Sequence, residues 1–463
     1  MDKLTKRYGL PTAICMVVGT VIGSGVFFKA QNVLIATGGN MPLGIVAWII
    51  TGFLMLLCSS QFAVMATKYQ KVNGVVDYAE ATCSSTYAYM LAWFLVNIYY
   101  PGMTSVLAWV SARYFGVIFG WTVNSAEVLT LAGFFLISSY TLNVFSPKLA
   151  GKFQVSATVI KLIPIILMSV VGTSVGLANG TLTDNFNFVS TTQSIDTTSG
   201  LFAAIVATVF AYEGWIVATS INAELKNPKS TLPLALVFGS IIVVLAYVLY
   251  YIGVAGGASN AVLISEGATT AFVNIFGSVG GTFLNICVVI SCLGTLNGLM
   301  LATTRGMYAI ASRGEGPAPE MFSQVDKSTN MVTNSSIWGL FVCSAWLLYF
   351  YGANLTENGW FSYFNFDSSE LPIVTIYALY IPIFVSWMKK EKGLGIFKRF
   401  VLPICASIAC LFMIFAAIYA HGITPYLNAR AKGEFSCPVL FYLILFAIIM
   451  VTGLILRKPV KNK

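Results

Sequence analysis

Two long apolar stretches of the chain are interrupted by glycine and polar residues that could bind a small charged solute. The first break contains Gly23-Ser24-Gly25, and the second contains Glu213-Gly214. Inside a bilayer, backbone that leaves the helix is tolerated only where protein or a water-filled cavity satisfies its free N–H and C=O groups. Amides at the first break could bind a carboxylate, and carbonyls at the second could bind an ammonium group. Together the two breaks predict a site for a zwitterion.

Two ionisable side chains, Glu213 and Lys161, fall within apolar stretches. A charged group at the centre of a spanning helix costs about 2.5–3.5 kcal/mol on insertion scales, so a functional role is the default hypothesis. Structural alternatives remain open at this point. Glu213 could be hydrogen-bonded within a helix bundle, Lys161 could extend to the membrane interface, and the glycines could serve helix packing alone.

The composition predicts an all-α membrane protein. Of the 463 residues, 57% are hydrophobic and 9% are charged, and the mean hydropathy is +0.81, which leaves too few charges to solvate a globular surface. A spanning helix needs about 20 apolar residues. This length predicts twelve spans at about 10–36, 42–66, 86–116, 126–146, 153–178, 198–224, 231–257, 269–304, 335–352, 371–388, 400–421 and 436–456. We therefore expect a single polytopic membrane domain over 1–463.

The basic residues predict the orientation, because Lys and Arg concentrate in cytoplasmic loops. With the N-terminus inside, all but five of the 26 Lys and Arg residues lie in inner segments. Of the exceptions, Lys161 falls within a span, and four are assigned to outer segments: Lys29, Arg113, Arg430 and Lys432. Both termini are expected to be cytoplasmic, and the net charge of +9 is explained by this topology rather than by nucleic-acid binding.

Catalytic and metal-binding clusters are not indicated by the sequence. His421 is the single histidine, which excludes a metal site with several histidine ligands, and its position at the outer end of the eleventh predicted span favours a place at the membrane interface over a role in a Ser-His-Asp site. The nine cysteines form no metal or disulfide pattern. We expect no enzyme activity, no metal and no cofactor. A channel or a membrane enzyme is a less favoured reading, since the chain has no glycine-rich filter and no paired-acid cluster.

Three sequence blocks resemble the amino acid permeases of the amino acid, polyamine and organocation (APC) superfamily. The first covers residues 19–27, the second 210–235, and the third 291–316. The later two blocks are similar to the L-type amino acid transporter branch, and in particular to prokaryotic serine/threonine and alanine-type exchangers. The resemblance implies the LeuT-like five-plus-five inverted repeat, with helices 1 and 6 unwound at mid-membrane. It implies repeats at about 10–178 and 198–388 and extra helices at about 400–456.

The resemblance also implies roles for individual residues. The substrate carboxylate would be bound by Ser24, Gly25 and Val26. The substrate ammonium would be bound by the carbonyls of Val21, Phe210 and Glu213. The gate and side-chain pocket would contain Phe210, Tyr247 and Tyr251. In place of a sodium ion, Lys161 would bridge helix 1 near Gly19 or Gly23 and helix 8 near Ser291.

Departures from the family pattern refine these expectations. Segment 116–126 has no cysteine, so no disulfide-linked heavy-chain subunit is expected, while Tyr251 replaces a usual asparagine and Ala30-Gln31 a usual proline. The resemblance implies sodium-independent exchange of small neutral L-amino acids across the plasma membrane by alternating access. Proton-coupled symport and antiport of cationic amino acids or polyamines remain open, since Glu213 is a mid-span acid.

Overall fold

The computed structural model describes residues 9–69, 74–188, 196–215, 225, 227–326, 331–356, 359–361 and 364–457. Over these residues the chain forms α-helices joined by short loops and by π-helical turns. Ten of the described helical segments are long and apolar enough to cross a membrane, and a bent pair at the N-terminus would make an eleventh. The prediction of an all-α membrane protein is confirmed.

The chain divides into two compact units. The first comprises Met1–Ala88, Leu162–Leu284 and Ile373–Ala420. Its helices are α1 (Leu10–Val21), α2 (Gly25–Ala36), α3 (Met41–Lys68), α4 (Val75–Thr82), α9 (Leu162–Leu167), α10 (Thr173–Ala178), α11 (Thr181–Phe186), α12 (Thr197–Tyr212), α13 (Pro228–Ala255), α14 (Asn260–Glu266) and α19 (Leu402–Ile418). A π-helical turn, Met168–Gly172, joins α9 to α10.

The second unit comprises Tyr89–Lys161, Asn285–Pro372 and His421–Lys463. Its helices are α6 (Tyr100–Ile118), α7 (Ala126–Phe145), α8 (Pro147–Ile160), α16 (Pro319–Phe322), α17 (Thr333–Asn354), α20 (Thr424–Ala431) and α21 (Pro438–Leu456). Three further helices belong in part to each unit: α5 (Ser85–Phe94), α15 (Ala268–Ala311) and α18 (Leu371–Lys390).

The first predicted span is broken where the sequence analysis placed the break. Helix α1 ends at Val21, Ile22 is extended with ψ 110°, and α2 starts at Gly25. The two helices meet at a bend of 50°. Glycine at residues 23 and 25 lowers the cost of leaving and re-entering helical geometry, since it has no Cβ.

The helix of the sixth predicted span ends at the residues where the break is expected. Helix α12 begins after Asp196, whose carboxylate accepts a hydrogen bond from the Ser199 amide at 2.9 Å, and it ends at Tyr212. Glu213 is extended, and Gly214 has φ +108°, which strongly favours glycine. Residues 216–224, the second half of this predicted span, lie outside the described residues.

Other boundaries differ by amounts that have local causes. The eighth span, expected at 269–304, is the longer helix α15, which kinks at Gly277 with φ +73°. The eleventh, expected at 400–421, continues through the π-helical turn Tyr419–Ile423 into α20. The count of twelve spans, the single domain over 1–463 and the repeats at 10–178 and 198–388 stay predictions.

Facing glycines hold helix α13 against the second half of the fifth predicted span. A Cβ on Gly253 would overlap the carbonyl of Met168, and one on Gly256 would overlap the carbonyl of Gly172. Such small-residue contacts let two backbones approach closely in a membrane. The position of α13 is therefore set by backbone packing.

A charged cluster joins the ends of α3 and α18 in the first unit. Glu391, which directly follows α18, accepts hydrogen bonds from the Lys68 ammonium and, at 2.7 Å, from the Tyr69 hydroxyl. Burial raises the pKa of Glu391, but these two hydrogen bonds and the positive charges of Lys68 and Lys390 outweigh it, so the pKa lies below its ordinary value. The folded protein thus favours the ionised carboxylate.

We expect Glu391→Gln to lower the melting temperature at neutral pH by about 1–3 °C. Because the folded pKa is lowered, the stabilisation from Glu391 is full above the ordinary glutamate pKa of about 4.3 and is lost as the pH falls below it. Thermal unfolding in detergent between neutral and acidic pH measures both effects. The exposed Glu320→Gln is the control, and identical pH profiles for Glu391→Gln and the wild type would contradict the prediction.

Candidate functional site

The two breaks of the first unit lie directly against each other. A Cβ on Gly25 would overlap the Cα of Ala211, so the start of α2 contacts the last turn of α12 without intervening side chains. A Cβ on Gly214 would lie 2.5 Å from the carbonyl oxygen of Thr20, so the break after α12 contacts the end of α1. The structure therefore packs the start of α2 on the last turn of α12, and the break after α12 on the end of α1.

Tyr247 of α13 links the carbonyl ends of both helices. Its hydroxyl lies 2.9 Å from the carbonyl oxygen of Ala211 and 3.0 Å from that of Val21, and its single proton is shared between them. Those carbonyls lack the next-turn amides that a continuous helix would supply. Tyr247, expected in the side-chain pocket, is thus placed on the backbone of the two breaks.

The predicted carboxylate-binding residues form the buried N-terminal end of α2. Among the described residues, no backbone carbonyl accepts a hydrogen bond from the amides of Ser24, Gly25 or Val26, whereas those of Phe27 and Phe28 both donate to Ser24 O at 3.1 Å. The Ser24 hydroxyl is buried and makes no hydrogen bond within the described chain. Free amides, the positive end of the helix dipole and a free hydroxyl are what a carboxylate requires.

Two of the three predicted ammonium-binding residues lie at the C-terminal end of α12, and the third, Val21, is the last residue of α1. Phe210 is in the last turn of α12 and Glu213 directly follows that helix, and both are buried. The negative end of a helix dipole and the carbonyls that lack next-turn amides attract a cation. The chemistry of this end therefore complements that of the N-terminal end of α2.

The sequence reasoning missed Lys29, which it assigned to an outer segment. Lys29 is fully buried in α2, and its ammonium lies 5.1 Å from the ring centroid of Phe28 and 5.3 Å from that of Phe210. These distances are in the range of cation–π attraction. A signal was present, since Lys29 follows Gly25 by one helical turn and so shares its face of α2.

The other pocket residue, Tyr251, is not brought to the breaks. It lies one turn beyond Tyr247 on α13, where its hydroxyl packs against Gly44 of α3 and its ring centroid lies 6.3 Å from that of Trp48. It also lines a small cavity with Gln31 of α2. Because Tyr251 lies one helical turn away from Tyr247, its side chain fills the space beside α3 and does not reach the breaks.

Lys161 and Ser291 both belong to the second unit and are both buried. There α8 packs on α15: the side chain of Asn297 donates to the carbonyl of Ala150 at 3.2 Å, and a Cβ on Gly294 would lie 2.5 Å from that of Ala157. Residue numbers therefore increase along α8 in the direction in which they decrease along α15. This antiparallel register puts Lys161 and Ser291 at the same level. Gly19 and Gly23 belong to the first unit, and a bridge from Lys161 to them stays a prediction.

Comparison with known proteins decides the family. The amino acid permease family matches residues 8–452, nearly the whole chain. The chain belongs to the amino acid permease family. The serine/threonine exchanger SteT of Bacillus subtilis is 32% identical over 329 residues, which cover 70% of this chain and 72% of SteT.

Animal transporters are also similar to this permease. The b(0,+)-type amino acid transporter 1 of Mus musculus is 26% identical over 429 residues, covering 92% of this chain and 85% of the relative. The cystine/glutamate transporter of Homo sapiens is 28% identical over 331 residues, covering 70% of this chain and 64% of the relative. The resemblance to the APC superfamily predicted from the three sequence blocks is confirmed, and the chain is a multi-pass membrane permease rather than an enzyme.

We expect Ser24→Ala to weaken binding of the substrate carboxylate by about 1 kcal/mol, or roughly fivefold in affinity, because one hydrogen-bond donor is lost. Thermal-shift titration of the detergent-purified permease with L-amino acids measures the change.

Ser240→Ala is a matched control for this variant. The hydroxyl of Ser240 on α13 is equally buried and likewise makes no hydrogen bond within the described chain. Its removal should leave affinity unchanged. Equal affinities for Ser24→Ala and Ser240→Ala would show that Ser24 does not contact the substrate.

Proposed function

We propose that this permease exchanges small neutral L-amino acids across the plasma membrane by alternating access, without sodium. The observation that carries the proposal is the contact between the two breaks. It packs the N-terminal end of α2, whose first amides have no backbone acceptor, on the C-terminal turn of α12, where one zwitterion could satisfy both helix ends. The similarity to a serine/threonine exchanger supports exchange of small substrates.

The packing around the breaks supports a small, neutral side chain. Aromatic rings from α2, α3, α12 and α13 enclose the region, including pairs Phe28–Phe210 and Trp48–Tyr247 with centroids 6.2 and 5.5 Å apart. The Lys29 ammonium beside Phe210 disfavours a second cation there, which argues against cationic amino acids and polyamines as substrates. In this proposal Phe210 is the gate and Tyr247 holds the backbone.

Lys161 supports the absence of sodium coupling. A buried ammonium at the level of Ser291 supplies the positive charge that a sodium ion would supply, so no cation needs to enter with the substrate. Proton coupling through Lys161 or Glu213 is the second candidate, because both ionisable side chains are buried within the membrane region.

Orientation and assembly are part of the proposal. Both termini are placed in the cytoplasm by the distribution of Lys and Arg. No cysteine lies between α6 and α7, the segment where the resemblance implies the bridge to a heavy chain. We therefore propose that the permease works without a disulfide-linked heavy chain.

Exchange predicts trans-stimulation. Uptake of labelled L-serine or L-threonine into proteoliposomes should rise severalfold when the vesicles are preloaded with the same amino acid, and replacing sodium by potassium should change nothing. If the uptake rate does not depend on the internal amino acid and is abolished by a protonophore, proton symport is established instead.

Lys161→Ala should reduce exchange about tenfold, equivalent to ~1.4 kcal/mol, while the protein stays folded and inserted. Lys152→Ala is the matched control, because Lys152 lies on α8, which Lys161 directly follows, but is exposed. Size-exclusion profiles check folding of both variants. Wild-type exchange by Lys161→Ala would assign this lysine a purely structural role.

A further inference from the structure

A groove of about 590 Å³ in the second unit has no part in the proposed transport site. Its walls come from α5 and the following π-helical turn, the end of α15, the α16 region, α17 and α21. Trp93, Trp338 and Trp346 line it, together with Met307 and Ile449. A packed cluster that includes Trp93, Met307 and Phe322 forms its floor.

The polar atoms of the groove are used internally. The indole N–H groups of Trp338 and Trp346 donate to the side-chain oxygen and the carbonyl of Asn97, at 3.1 and 2.9 Å. The indole of Trp93 donates to the carbonyl of Ile449 at 2.9 Å, and the Thr452 hydroxyl to that of Ile448 at 2.8 Å. An occupant of the groove therefore meets hydrocarbon and aromatic faces, which suit an apolar chain and not an amino acid or water.

The groove opens at helices that face lipid. Phe341 on α17 and Ile448 on α21, which both line it, are 65% and 58% exposed, and only 11% of the apolar window of α21 is buried. Its wall on α21 runs from Leu445 to Leu456, about 16 Å at 1.5 Å per residue. That length is about half of a hydrocarbon core of ~30 Å, so the groove has the depth of one leaflet.

We propose that this groove binds one acyl chain of a membrane phospholipid, inserted from the leaflet at the C-terminal end of α21. The volume is in the range of specific small-molecule sites, about 300–1,000 Å³. The three indole rings offer flat apolar walls to a flexible methylene chain. The occupant is the lipid that already surrounds α17 and α21.

Tryptophan quenching by brominated phospholipids tests the proposal on the full-length permease in liposomes. Lipid brominated along the acyl chain should quench the groove tryptophans, and Ala345→Phe, which fills the groove from α17, should remove much of that quenching. Ala447→Phe is the matched control: it makes the same substitution on the exposed face of α21, outside the groove, and should quench like the wild type.

Either of two outcomes with the variants would overturn the proposal. One is equal quenching in Ala345→Phe, Ala447→Phe and the wild type. The other is a dimer of the wild type in nanodiscs that Ala345→Phe dissociates, since a second copy of the chain would then cover the groove.

If Ala345→Phe does not fold, the dependence of wild-type quenching on the position of the bromine along the acyl chain tests the proposal. Quenching should be efficient with bromine near either end of the chain, because Trp338 and Trp346 lie about 12 Å apart along α17, whereas quenching confined to one depth contradicts a chain lying along the groove.

Discussion

The first unit depends on how peptide groups freed from two helices are satisfied away from water. A buried donor or acceptor without a partner costs about 1–3 kcal/mol, and the medium around a spanning helix supplies none. The end of α1 and the end of α12 share the proton of Tyr247. The start of α2 keeps its amides and the Ser24 hydroxyl without a partner among the described residues. That unpaired end is where a ligand gains most.

This arrangement requires two positions without side chains. At Gly25 a methyl group would push α2 away from Ala211, and at Gly214 a methyl group would meet the carbonyl of Thr20. An alanine at position 214 would also have to adopt φ +108°. Because the contact is between backbones, the proposed site would recognise the groups that all α-amino acids share. Discrimination between side chains would then depend on neighbours such as Phe210 and Lys29, whose side chains lie close together.

Features encoded by nearby residues could be predicted from the sequence, and features encoded by packing could not. The helix break at residues 22–24 and the end of α12 at Tyr212 follow from local glycines, and the span at 371–388 from an apolar run that ends in lysines. The hydrogen-bond partners of Tyr247 could not be predicted, because Val21 lies 226 residues away in the sequence. Burial of Lys29 was missed for a related reason: loop-charge counting assigns a lysine by its distance along the chain from a span and ignores the helix face it occupies.

The position of Tyr247 raises the question of whether its hydroxyl blocks the ammonium site predicted at Val21. A carbonyl oxygen has two lone pairs, and the hydroxyl supplies one proton to two oxygens, so Val21 and Ala211 keep acceptor capacity. An ammonium brings three donors and can bind these carbonyls while Tyr247 still holds them. Tyr247 itself is fixed from outside the breaks, since facing glycines hold α13 against Met168 and Gly172. In the proposed site, Tyr247 would therefore hold the two helix ends in place for a ligand and would not compete with it.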